Sequence, residues 1–198
     1  MKEIEGKEAD YTHEGEKHYI CSVCSNVDNL KGTVKSEKKT LNCIKTDDYS
    51  IRYTDFVSPR ATFKINLKTI KGIEDEYDVK IFGVAVKGEQ TKEIQVYGEG
   101  KTGTYNEKTG EFSLVVKGSE PTDEYVFSVR VEIKAKSDKS TGGSEILPKK
   151  LSTNPDGKVS AVDVAYYYAS NETRLNDDVP TELHDFYKEL GAMGITEE

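Results

Sequence analysis

Two stretches of this chain carry the residue types that hold ions. Near the N-terminus His13 and His18 precede Cys21 and Cys24. The C-x-x-C spacing lets two thiolates grip one tetrahedral zinc ion while amides of the turn support the sulfurs. His18 and His13 would complete a compact four-ligand set, with Cys43 as a further candidate. The alternative is a pair of cysteines, reduced or disulfide-linked, in an N-terminal strand, because a lone C-x-x-C occurs in many settings. A thioredoxin-like redox site is not expected, since no βαβ pattern surrounds the pair.

The second stretch runs from Ser152 to Asp163. A calcium loop needs oxygen donors at alternating positions, a glycine at the sharp turn and an acid on the first turn of the following helix. Asn154, Asp156, Gly157 and Asp163 fall at the third, fifth, sixth and twelfth positions, and Lys158 offers its carbonyl at the seventh. Ser152 stands at the first position and Pro155 lies inside the loop. Two carboxylates match the charge of calcium poorly, which points to the weak affinity of extracellular modules, roughly 10⁻⁴ to 10⁻³ M. The alternative is a turn followed by an N-cap at Ser160.

Catalytic constellations are missing from the sequence: it has no G-x-S-x-G, no H-E-x-x-H and no glycine-rich phosphate loop. His184 and Asp185 are adjacent, but neighbours on a helix point about 100° apart, so they read as a solvated face. Tyr166, Tyr167 and Tyr168 could form a sugar-stacking platform, yet a helical period sends at least one of them to the core, and the chain has no tryptophan. No enzyme is expected.

Most of the chain that would position these groups reads as β-strand. From Tyr77 to Ala135 it runs YDVKIFGVAVKG, EIQVYGEG, EFSLVVKG and YVFSVRVEIKA, four strand-like runs each closed by a glycine or a charged break. Upstream, Thr40–Ile44 and Tyr49–Tyr53 alternate around a turn at Thr46-Asp47-Asp48, and Ala61, Phe63, Ile65 and Leu67 share one face of a longer strand. Lys71–Asp78 reads as an acidic loop, Gly83 as a bulge or close approach, and Tyr105–Glu111 as a hairpin loop. Phe63, Ile65, Leu67, Val84, Val86, Leu114, Phe127, Val129 and Val131 are the expected core.

Beyond Ala135 the period changes. Ser160-Ala161-Val162-Asp163 opens like a capping box, with Val162, Ala165, Tyr166 and Ala169 at helical spacing. Asn171–Asp178 reads as a break, and Leu183, Phe186, Tyr187 and Leu190 as a second helical stripe ended by Gly191. The expected fold is therefore mainly β: an antiparallel β-sandwich, Ig-like, followed by a short C-terminal helical hairpin. Its parts are a polar lead-in with the Cys/His cluster at 1–31, the β-sandwich at 32–136, a linker at 137–150 and two short helices with the loop at 151–198.

Composition bounds the partners. At 198 residues, with 35% hydrophobic and 32% charged, the chain is lean but able to fold. Lys and Arg number 28 against 36 Asp and Glu, a net charge of -8, which argues against nucleic acid. No apolar run approaches the roughly 18 residues of a transmembrane helix. The start has no apolar signal region, so a complete chain would be cytoplasmic, whereas a piece of a longer secreted protein would stand outside the cell. Three cysteines suit a metal site, a free thiol or one disulfide with a spare.

HEGEKHYICSVC resembles the G-x-K-x-Y-x-C-x-x-C-G repeats of large surface proteins of anaerobic Gram-positive bacteria, with Ser25 in place of the final glycine. The Ser152–Asp163 loop is similar to a dockerin repeat, in which a V-S/N-x-x-D run also opens the helix, although only one copy is present. Over residues 32–194 the layout, a β-domain, a Ser/Gly linker and KVSAVDVAYYYAS, looks like surface modules whose β-domain is followed by an R-S-V-x-x-V-A helix. The resemblance implies a non-catalytic cell-surface or secreted module that serves as spacer, adhesion or protein-binding unit, with another surface protein or a glycan as partner. A carbohydrate-binding or cellulosome-type accessory module is the alternative.

Overall fold

The computed structural model describes residues 2–20, 31–53, 59–117, 119–147 and 157–193. Strands dominate. They are β1 (Lys2–Lys7), β2 (Gly15–Ile20), β3 (Lys31–Ser36), β4 (Ile44–Tyr53), β5 (Pro59–Ile65), β6 (Tyr77–Lys87), β7 (Gln90–Tyr97), β8 (Glu111–Val115), β9 (Val126–Ala135) and β10 (Thr141–Ile146). The helices are α1 (Leu67–Lys71), α2 (Ala161–Ala169), α3 (Glu172–Asp178) and α4 (His184–Ala192), with a 3-10 turn at Thr181–Leu183 before α4. The strands form sheets of order β1-β2-β3, β10-β9-β6-β7 and β4-β5-β8. The protein is mainly β, in antiparallel sheets.

The chain divides into two compact units. The first comprises Met1–Cys43, Leu67–Lys80 and Val131–Ser144, and the second Ile44–Asn66, Ile81–Arg130 and Glu145–Glu198.

In the first unit, β2 pairs with β3 from Gly15↔Ser36 to Ile20↔Lys31. Strands thus stand where the sequence reads as a polar lead-in. Thr33 to Ser36 are all exposed, so the backbone ladder rather than an apolar face holds this part of the sheet, and alternation gives no signal. The core of this unit includes Leu41, Cys43, Ile70, Val79, Val131 and Ile133. The strand expected over Ala61–Lys68 stops at Ile65, and α1 follows, with Ile70 buried and Leu67 only half-buried. Turns from Gly72 to Glu76 then lead into β6, as the acidic stretch implies.

β10 lies within the stretch that reads as a linker. Its glycines have a use there: a Cβ on Gly142 would run into the carbonyl oxygen of Tyr11. Composition signals flexibility, but tertiary contact selects these glycines for space.

In the second unit, Phe63 of β5 stands opposite Phe112 of β8, their rings stacked with centroids 5.3 Å apart. A Cβ on Gly83 of β6 would come within 3.1 Å of the Phe112 ring, so the glycine permits the close approach expected of it. Ile65, Val84, Leu114, Phe127 and Val129 are buried as expected, while Val86 is half-buried. The expected turn at Thr46–Asp48 is absorbed into β4 as an irregularity, where pairing with β5 jumps from Lys45↔Lys64 to Ser50↔Thr62. The hairpin loop ends on Gly110 at φ 78°, a conformation natural to glycine, and its carbonyl accepts the Ile65 amide at 2.9 Å.

At the C-terminus, α2 and α4 pack together, with Tyr168 edge-on to Tyr187 at 5.9 Å and Gly191 against the backbone of Ala165. The sequence places a break at Asn171–Asp178, but α3 forms there. Ser170 ends α2 and Asn171 caps α3, its Oδ1 accepting the Arg174 amide at 3.1 Å, and Leu175 is buried.

Candidate functional site

A group of acid–base side chains lies in the first unit, where two tight turns face each other. Each begins with an Asp followed two residues later by a hydroxyl residue: Asp10-Tyr11-Thr12 and Asp138-Lys139-Ser140. In the first, Asp10 Oδ1 accepts the amides of Thr12 and His13, both at 2.7 Å. In the second, Asp138 Oδ1 accepts the Ser140 amide at 3.0 Å and lies 2.6 Å from the Ser140 hydroxyl. These are Asx turns, in which a short carboxylate stands in for a backbone acceptor. Lys139 sits within the second at φ 65°.

His13 joins the turns. Its Nδ1 lies 3.0 Å from Asp10 Oδ2 and its Nε2 3.0 Å from Asp138 Oδ2. Each ring nitrogen thus faces a carboxylate oxygen from a different turn. Beside it, the Ser140 hydroxyl meets Thr12 Oγ1 at 3.0 Å, and Thr12 is buried.

The electrostatics follow from the bonds. Burial works to raise the Asp10 carboxyl, but the amides of Thr12 and His13, with the His13 ring and the Thr12 hydroxyl, outweigh it and hold the group well below the usual carboxylate range. The Ser140 hydroxyl and amide lower Asp138 against a smaller effect of burial, and His13 adds to the lowering. Tyr77 is raised by burial and by the nearby charges of Asp10 and Glu76.

A cleft of about 350 Å³ opens beside the cluster, lined in part by His13, Asp75, Glu76, Tyr77 and Lys136. A second, of about 310 Å³, shares Asp10, Asp75, Glu76 and Tyr77 and extends to Lys39. The Tyr11 and Tyr77 rings meet edge-on at 5.5 Å.

Chemically the cluster is a clasp. A general base needs an unoccupied nitrogen lone pair, and both His13 nitrogens face carboxylates. A nucleophilic hydroxyl needs a strong base as its acceptor, and the carboxylate beside the Ser140 hydroxyl, Asp138, is a weak one because its pKa is lowered.

The candidate zinc ligands are not assembled among the described residues, which contain no group of three or more His, Cys, Asp or Glu able to hold a metal. His13 is engaged in the clasp. His18 is on β2, with Nδ1 3.3 Å from Thr33 Oγ1. Cys43 is buried, and burial pushes its thiol up to about 11, the opposite of a poised thiolate. Cys21 and Cys24 lie outside the described residues.

Of the calcium loop, Asn154 and Asp156 also lie outside. Lys158 is exposed, with Nζ 3.7 Å from Glu124. Asp163 completes a capping box: its Oδ2 accepts the Ser160 amide at 2.8 Å and lies 2.7 Å from Ser160 Oγ, which accepts the Asp163 amide. Two backbone bonds between Val159 and Tyr125 hold the chain just ahead of this cap. His184 Nε2 lies 2.9 Å from the Val179 carbonyl, so it ties down its own helix start and leaves Asp185 exposed. Of the three tyrosines Tyr168 is buried and Tyr166 exposed, while Arg174 covers the Tyr167 ring at 4.1 Å.

Asp10, Thr12, Asp138 and Ser140 escape a reading of the sequence for function. The repeated Asp-x-Thr/Ser pattern announces two Asx turns, but nothing in it says that they meet. No family model matches the chain, and neither a curated protein nor a solved structure matches it.

Proposed function

We propose that this chain is a non-catalytic module of a bacterial cell-surface or secreted protein, acting as a spacer, adhesion or protein-binding unit. In this reading the sheets are arranged as an Ig-like sandwich, and the C-terminal helices form a small cap after it. The supporting observation is the clasp: the residues best suited to acid–base work are turned on one another, where they fasten the N-terminal turn to the turn between β9 and β10. Such a use of His and Asp serves a scaffold, because it fixes one conformation of the two turns.

Two ion sites belong to the proposal. Zinc would be held by Cys21 and Cys24 with His18 and a further ligand. That ligand would be His13 or Cys43, and binding would require His13 to leave the clasp or the buried Cys43 thiol to ionise. Calcium would be held weakly by Asn154, Asp156 and Asp163 with the Lys158 carbonyl.

Antibody raised against the chain tests the location. It should label intact cells of the source organism and lose its target when those cells are treated with protease; a target protected until lysis overturns the reading. Selective binding of the purified module to one glycan on an array would favour the carbohydrate-binding alternative instead.

A further inference from the structure

Asn171 stands at the junction of α2 and α3 and opens the run Asn171-Glu172-Thr173. Of the eight asparagines in the chain, it alone is followed two residues later by Ser or Thr. Asn-x-Ser/Thr, with any residue but proline in the middle, is the pattern in which an asparagine amide accepts a sugar. Three residues make a short pattern, so the surroundings have to agree with it.

They do so in two ways. Asn171, Glu172 and Thr173 are all exposed. The two ends of the Asn171 amide are also free for separate tasks: Oδ1 accepts the Arg174 amide at 3.1 Å, while Nδ2 has no hydrogen-bond partner among the described residues. A sugar on Nδ2 replaces one N–H hydrogen and leaves Oδ1 its lone pairs, so the local fold survives the modification. The fold, in turn, does not call for this pattern. Aspartate and serine would serve the Arg174 amide as well as asparagine does, and threonine is a poor helix former at an exposed position.

We propose that Asn171 is a glycosylation site, its Nδ2 accepting a sugar from a donor whose anomeric carbon is esterified to a diphosphate. Nδ2 attacks that carbon, and a C–N bond forms as the carbon–oxygen bond to the diphosphate breaks. The amide proton passes to a base of the transferase, the diphosphate leaves with the electron pair, and nothing is oxidised or reduced. Thr173 supplies the hydroxyl that the transferase reads beside the amide. A nucleoside diphosphate sugar inside the cell and a lipid diphosphate oligosaccharide outside it share this chemistry, so the inference stands whether or not the chain works at a cell surface.

Mass spectrometry of the full chain isolated from the source organism tests it. Trypsin cuts after Lys158 and Arg174 and releases residues 159–174, in which Asn171 is the only asparagine. The expected spectrum shows this peptide heavier by whole sugar residues. A single sugar or a short run of one sugar points to the nucleoside diphosphate donor, and an oligosaccharide of fixed composition to the lipid-linked one. Asn171→Asp keeps an oxygen for the Arg174 amide and should remove the adduct completely. Thr173→Ala should remove it too, whereas Thr173→Ser should keep it. That pair separates recognition from folding, because both substitutions fall on an exposed side chain. Finding residues 159–174 only in unmodified form overturns the proposal, as does an adduct that persists in Asn171→Asp.

Discussion

His13 Nε2 meets Asp138 Oδ2 at 3.0 Å, linking the turn that follows β1 to the turn that joins β9 to β10. With Asp10 on the other ring nitrogen and the Thr12 and Ser140 hydroxyls in contact, one imidazole holds two distant turns in register. The side chains of His13 and Asp10 are 29% and 32% exposed and that of Asp138 is 51% exposed, so water screens the outer contact more than the inner one.

Replacing His13 by Ala should lower unfolding stability by about 1 kcal/mol, the scale of partly exposed charged hydrogen bonds. A double-mutant cycle of His13→Ala with Asp138→Asn, read by urea unfolding, should give a favourable coupling between the two positions. Strict additivity would show that the contact contributes nothing.

Acid should undo the clasp in a definite direction. Asp10 and Asp138 both ionise more readily folded than unfolded, so their contribution is fully present above the unfolded carboxylate pKa of about 3.9. It fades as pH falls from there through the lowered folded values. The stability difference between wild type and Asp10→Asn should therefore be full at neutral pH and shrink only below about pH 4. A difference that vanishes already at pH 5 would contradict the bonding described for Asp10.

Gly142→Ala should destabilise by about 1–3 kcal/mol, because its methyl group would enter the space of the Tyr11 carbonyl. The same substitution at Gly100 meets open space but a left-handed backbone at φ 83°, and should cost only about 1 kcal/mol. Thermal unfolding of the two variants separates crowding from conformational strain.

Asp163→Ala removes the capping box and should cost about 1 kcal/mol with or without calcium. Calcium binding at the loop predicts something further: millimolar calcium raises the melting temperature of wild type over that in chelator, and Asp156→Ala abolishes the rise. Identical melting curves in calcium and chelator would leave only the cap.

Cys43 should resist thiol reagents in the folded protein, since its thiol is buried and its ionisation pushed up to about 11. Protein purified without chelator should carry one zinc per chain if Cys21 and Cys24 hold the ion. Freely titrating Cys21 and Cys24 together with well under one zinc per chain would end the zinc proposal.

The sequence by itself determines the strands whose two faces differ. Phe63, Ile65, Leu114, Phe127 and Val129 alternate with polar residues, and burying one face of such a strand leaves a single choice of side. It determines the start of α2 as well, because Ser160 and Asp163 cap within one turn and need no distant partner. Tertiary structure decides what depends on a partner far along the chain. β1 to β3 have a mixed polar pattern and gain their form from backbone pairing, and β10 reads as linker until Tyr11 lies over Gly142. The clasp is the clearest case: Asp10 and His13 are legible as a turn, and Asp138 and Ser140 as another. Only the folded chain brings them to hydrogen-bonding distance, since the spacing of local motifs carries no information about which two turns will meet.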